Sequence, residues 1–98
     1  MLNKEAITET LRNNLGFIKN NFQVTNIGIF GSYIREEATE ESDLDLLVEF
    51  DRGHKDFFNY MRLKNYLENL FDIEVDLILK DAVKTQLRER IFQEVRYV

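Results

Sequence analysis

The sequence predicts a small α/β sandwich, a mixed sheet of about three strands with helices packed on one face. Three observations point there. Apolar residues near the N-terminus recur at spacings of three and four, the period of an amphipathic helix. Two later segments, SDLDLLVEF at 42–50 and the stretch at 73–79, alternate apolar and polar residues with the period of a half-buried strand. A helical stripe follows each of them, so strands and helices alternate along the chain.

Taken in order, residues 4–20 form the first helix. Ile7, Leu11, Leu15, Ile18 and Phe22 make its apolar stripe, and Asn3 is its N-cap. A strand follows at 24–30, where Val24, Ile27, Ile29 and Phe30 favour extended backbone. Gly31 breaks that run, and Ser32 is expected to cap a short helix reaching Glu37. In the second strand, 42–50, Leu44, Leu46, Val48 and Phe50 share one face. Asp43, Asp45, Leu47 and Glu49 share the other. Asp51, Arg52, Gly53 and His54 read as a turn, with His54 at the surface. Asp56 then caps a helix over 57–70 with a stripe of Phe57, Tyr60, Leu63, Leu67 and Leu70. Phe57, Phe58 and Tyr60 read as core rather than as a stacking platform for a base. In the third strand, 73–79, Ile73, Val75, Leu77 and Leu79 face the core, while Glu74, Asp76 and Ile78 face away. Asp81 is expected to cap the last helix, whose stripe is Val83, Leu87, Ile91 and Val95.

The bulk composition narrows the function classes. The 98 residues suit one small domain, 1–98. With no cysteine, disulfides and thiolate zinc sites are excluded. No apolar run reaches the roughly 18 residues that span a bilayer. The segment MLNKEAITET has no apolar stretch of the signal-peptide kind. A cytoplasmic location is expected. The net charge of −5 argues against broad, sequence-independent binding of nucleic acid. The charge is also uneven. Eight acids and no Lys or Arg lie between Glu36 and Asp51, whereas five basic and three acidic residues lie between Lys80 and Val98. Solvated faces of opposite sign account for this, and so does an acidic metal pocket facing a basic patch.

Three carboxylates carry the chemical signal. Asp43 and Asp45, two apart on one strand, point to the same side of the sheet. Asp76 lies on the same side of the next strand. If those strands are neighbours, the three converge and repel one another. A divalent cation would relieve that repulsion, and hard oxygen ligands suit Mg²⁺ or Mn²⁺. Alone, such a pair is more often a wet strand face. Gly31 and Ser32 change the balance, because they follow an apolar strand where freed backbone amides can receive a phosphate. No Walker pattern follows them.

GSYIREEATEESDLDLLVEF, Gly31 to Phe50, resembles the GSX10DXD signature of the polymerase-β-type nucleotidyltransferases. In length and element order the chain resembles that superfamily's minimal nucleotidyltransferases, domains often encoded beside a HEPN-domain toxin. The family commonly has glycine after the arginine, and here Glu36 follows Arg35. The resemblance implies a metal-dependent transfer of a nucleoside monophosphate, AMP from ATP, to a hydroxyl. Asp43, Asp45 and Asp76 would be the catalytic residues and would hold two Mg²⁺ ions. Gly31, Ser32 and Arg35 would bind the phosphates, though Arg35 could instead pair with Glu36 or Glu37. The resemblance further implies an antitoxin that modifies a tyrosine of its HEPN ribonuclease partner within a hetero-oligomeric complex. The alternative is a non-catalytic antitoxin or adaptor that neutralises its partner by binding. Arg88, Arg90, Arg96 and Tyr97 would then form the working surface, with a vestigial nucleotide site.

Overall fold

The computed structural model describes residues 2–54 and 56–98. Helix α1 (Lys4–Phe22) leads into strand β1 (Val24–Phe30). A single 3-10 turn, Gly31–Tyr33, and a loop connect it to β2 (Leu44–Phe50). Then come α2 (Phe57–Phe71), β3 (Val75–Leu79), a second 3-10 turn at Lys80–Ala82, α3 (Thr85–Glu94) and β4 (Arg96–Tyr97). The expected caps form at both long helices. The Asn3 side chain accepts the Ala6 amide at 2.8 Å, and the Asp56 side chain accepts the Asn59 amide at 2.8 Å.

The sheet has four strands in the order β3-β2-β1-β4, one more than expected. β1 runs antiparallel to β2 and β4, while β2 and β3 are parallel, so the sheet is mixed. The added strand is short and lies where the sequence pattern reads as the end of the last helix. Gly28 marks its place. A Cβ there would meet Val95 Cγ2 at 2.7 Å and the Arg96 carbonyl oxygen at 3.1 Å, so the β4 backbone can approach only because this residue has no side chain.

The helices do not all lie on one face. Ile7, Leu11, Ile18 and Phe22 of α1 and Leu63, Leu67 and Phe71 of α2 join Ile27, Ile29, Leu44, Leu46 and Val48 in the main core. Leu47 points the other way, yet it too is fully buried, in a second core with Phe30, Val83 and Val95. Ile91 of α3 packs against that group. α3 therefore covers part of the face that carries the alternate residues of β2. A two-residue period distinguishes the two faces of a strand, but it does not say that the second face stays wet.

Four local expectations are corrected. Ser32 lies inside a 3-10 turn rather than capping a helix that reaches Glu37. Asp81 lies in the second 3-10 turn and does not cap α3, whose N-cap is Lys84 with no side-chain bond. Val83 and Val95 flank α3, and Leu87 is exposed. Phe57 and Phe58 are 69% and 78% exposed at the start of α2 and are not core. Tyr60 is partly buried, and its hydroxyl donates to the Leu77 carbonyl at 2.7 Å. His54 is exposed in its turn, as expected. Among the described residues no helix is long and apolar enough to cross a membrane.

Candidate active site

Strand register brings the acids together. In the parallel β2–β3 pair, Asp45 is the direct partner of Asp76. Identical side-chain phase puts both carboxylates on the α3 face of the sheet, on strands about 4.8 Å apart. Asp45 is half-buried and Asp76 is exposed. The Asp45 carboxyl is pushed up from its ordinary value of 3.8 to about 6. Burial is the main cause, followed by the charge and hydrogen bond of Asp76 and the charge of Asp43. Asp43 is exposed and lies one residue before β2, not within it. Its charge reaches Asp45, but among the described residues no three acids, histidines or cysteines form a ready group for a metal ion. The donor chemistry suits a hard divalent cation, with Asp45 and Asp76 side by side and Asp43 within electrostatic range.

The first strand delivers the loop to these acids. β1 ends at Phe30, paired with Asp45, so Gly31 follows directly beside that carboxylate. Gly31 has φ 77°, and a Cβ there would collide with the Asp45 side chain. Both facts require glycine. The loop then closes on itself. The Ile34 and Arg35 amides donate to the Gly31 carbonyl, and the Glu37 amide donates to the Ser32 carbonyl at 2.9 Å. Ser32 is half-buried at the start of this turn, while Tyr33 anchors it in the main core. Glu36, at the position where the resemblance leads one to expect glycine, takes φ 61°. The loop thus keeps the left-handed backbone that glycine would adopt freely.

Helix α3 closes the other side. Glu94, at its C-terminus, accepts the Gly31 amide on Oε2 at 2.7 Å and the Arg35 guanidinium on Oε1 at 2.8 Å. Burial pushes the Glu94 carboxyl up, but Arg35, the Gly31 amide and Arg90 outweigh it and hold it below its ordinary value. Arg35 also bonds Glu37 at 3.0 Å, and its charge favours ionised Asp45. Phe30, Gly31, Arg35, Asp45, Arg90 and Glu94 are among the residues that line a cavity of about 190 Å³. Typical small-molecule pockets measure about 300–1,000 Å³. This one is the size of a phosphate group or two, not of a whole nucleotide. The acidic middle of the sequence and the basic C-terminal segment therefore meet at one place.

A nucleotidyltransferase domain model matches residues 11–98. The chain belongs to the nucleotidyltransferase domain family. Its reaction class is therefore nucleotidyl transfer, and the resemblance read from Gly31 to Phe50 is borne out. The chain is 38% identical, over its full length and 98% of the relative, to the protein adenylyltransferase MntA of Thermococcus cleftensis. It superimposes with a TM-score of 0.82 on a structure described as a minimal nucleotidyltransferase, at 32% identity, covering 97% of this chain and 95% of the other. A chain from a crystal structure of a toxin–antitoxin with AMP-PNP matches at a TM-score of 0.68 and 25% identity, covering 98% of this chain and 72% of that one.

Of the residues expected from the sequence, Gly31, Arg35 and Asp45 line the cavity. Asp76 adjoins Asp45, Ser32 follows Gly31, and Asp43 is exposed and acts on Asp45 through its charge. Glu94 was missed, and Arg90 was read only as part of a docking surface. Their one sequence signal is a spacing of four on α3, with the partly buried Ile91 between them packed against the second core.

Proposed function

We propose that this nucleotidyltransferase is a metal-dependent protein adenylyltransferase that transfers AMP from ATP to a tyrosine hydroxyl of a HEPN-domain toxin and so acts as an antitoxin. The observation that carries the reading is the register of β1, β2 and β3. It puts Gly31, Asp45 and Asp76 at one point, the combination a triphosphate and its cation require. The similarity to MntA, named a protein adenylyltransferase, supports adenylyl transfer. The toxin–antitoxin neighbour with AMP-PNP supports both the nucleotide and the kind of partner.

In this reading Asp43, Asp45 and Asp76 would hold two Mg²⁺ ions, with Mn²⁺ as a substitute. Such ions, when bound, neutralise phosphate charge and align attacking and leaving oxygens for in-line displacement. The half-buried Asp45 gives up its proton to take this role, because a carboxyl that titrates near 6 is mostly ionised at neutral pH. Asp76, on the exposed side, faces the acceptor and helps draw off the hydroxyl proton. The Gly31 and Ser32 amides and the Ser32 hydroxyl receive the departing phosphates, and Arg35 offsets their charge. The small cavity holds the phosphate end, which leaves the nucleoside and the acceptor to the open rim.

The test incubates the protein with a HEPN-domain toxin, Mg²⁺ and α-labelled ATP, next to an Asp43→Ala/Asp45→Ala double variant. Label on a partner tyrosine, absent with the variant, is expected. A partner that is neutralised without label under any of the four triphosphates would instead mark a binding antitoxin with a vestigial site.

A further inference from the structure

The carboxylate of Glu94 makes the two bonds that a phosphate oxygen pair would make. It takes the backbone amide of Gly31 at 2.7 Å and the guanidinium of Arg35 at 2.8 Å, with only 13% of its side chain exposed. Those two donors are the ones the preceding section assigns to the triphosphate. The Gly31 amide has a single hydrogen and cannot serve a carboxylate and a phosphate at full strength together, whereas Arg35, already shared between Glu37 and Glu94, has N–H groups that a phosphate can compete for. Glu94 also shares the cavity with Asp45, so a triphosphate entering there meets a fixed negative charge. One cation on the cavity wall, Arg90, lies on the same helix one turn earlier and acts on Glu94 through its charge.

We propose that Glu94 holds the place of a phosphate group in the nucleotide-free protein, and that an incoming triphosphate takes over Gly31 N–H and Arg35, with Arg90 as a further phosphate ligand. The inference rests on the nucleotidyltransferase reading of the site and extends it to regulation. Glu94 is the last residue of α3 and stands two residues before β4. Its release loosens the end of α3 next to β4, a strand that pairs with β1 at two positions and is tied further by the Val98 amide on the Ile27 carbonyl at 3.0 Å. Nucleotide occupancy is thereby transmitted to the C-terminal edge of the sheet. The carboxylate also screens the donors from weaker anions. A single inorganic phosphate replaces one charge with a comparable one, whereas a triphosphate brings several along with its own cation.

The test measures AMP-PNP binding in the presence of Mg²⁺ by calorimetry for the unaltered protein, Glu94→Gln, Arg35→Ala and Arg90→Ala. It also follows backbone hydrogen exchange over residues 85–98 in the unaltered protein, with and without AMP-PNP. Glu94→Gln is expected to bind about tenfold tighter, equivalent to about 1.4 kcal/mol. Arg35→Ala and Arg90→Ala are each expected to bind about five- to tenfold weaker, as loss of a charge-assisted bond implies. Exchange at residues 91–98 is expected to rise when AMP-PNP binds. Equal or weaker binding by Glu94→Gln would overturn the proposal and make Glu94 a positioning residue that stays in place. Unchanged or slower exchange at 91–98 in the unaltered protein would overturn it as well, even with tighter binding by Glu94→Gln, because removal of a charge alone would then account for that gain. If the unaltered protein binds neither AMP-PNP nor ATP, the nucleotidyltransferase reading of this site fails along with it.

Discussion

Replacing Asp45 by Asn should make the metal-free protein more stable at neutral pH while removing its activity. Asp45 titrates near 6 in the folded protein, against 3.8 for an unperturbed carboxyl. Below the lower value the group is protonated in both the folded and unfolded chains, so ionisation costs nothing. As pH rises through the window between 3.8 and about 6, the unfolded chain loses the proton first. Folding is then penalised progressively, and the full penalty holds above about 6. The distance between the two values corresponds to about 3 kcal/mol. Solvent still reaches this half-buried carboxylate, so about half of that, roughly 1–2 kcal/mol, is the realistic share. For a domain of this size each kcal/mol moves Tm by roughly 4–8 °C. Thermal unfolding followed by circular dichroism, with EDTA present, at pH 7.5 and pH 4.5 checks this. About a third of the penalty is already present at pH 4.5, so the Asn variant should exceed the unaltered protein by roughly 3–10 °C more at pH 7.5 than at pH 4.5. Millimolar Mg²⁺ at pH 7.5 should narrow the gap by stabilising only the unaltered protein. A variant with the same advantage or deficit at both pH values would refute the argument that charge, and not packing, sets the behaviour of Asp45.

Three other substitutions probe the frame around the site. Gly31→Ala must accommodate φ 77° and a Cβ against the Asp45 carboxylate; labelling activity should fall at least about a hundredfold, the scale of a misplaced reacting group, while the circular dichroism spectrum stays folded. Glu36→Gly relieves a left-handed backbone that costs a non-glycine residue about 1–2 kcal/mol. It gives up an exposed ion pair with Lys4 worth at most about 1 kcal/mol and adds chain entropy of a similar size; urea unfolding should show a change within about 0.5 kcal/mol, and a loss above 1.5 kcal/mol would contradict the balance. Gly28→Ala drives a methyl into Val95 and the Arg96 carbonyl and should cost about 1–3 kcal/mol, with faster proteolysis after Arg96 as the local sign that β4 has lifted.

Much of the frame was legible in the sequence because it rests on local physics. The stripe of Ile7, Leu11, Ile18 and Phe22, the caps at Asn3 and Asp56, and the alternation through Asp45 and Asp76 follow from helix and strand periods and from side-chain hydrogen bonding. The spacing from Gly31 to Asp45 marked the candidate site for the same reason, since a glycine that ends a strand and an acid within one are readable one segment at a time.

What the tertiary structure decided is where separate segments meet. No period in the sequence says that Leu47 is sealed by Val83, Val95 and Ile91 from the far end of the chain, and so the second covered face went unread. β4 is two residues long, too short for an alternation to declare itself, and only the space left by Gly28 reveals it. Phe57 and Phe58 match a helical stripe, but the end of a helix can overhang its core, and here it does. Glu94 lies 63 positions from Gly31 and looks like any polar residue on a helix surface. Its bonds to Gly31 and Arg35 exist only because the end of α3 lies beside the end of β1, where a carboxylate from one end of the chain finds the amide of a glycine nearer its middle. Sequence determines which groups are available; the packing of elements determines which of them share a hydrogen bond.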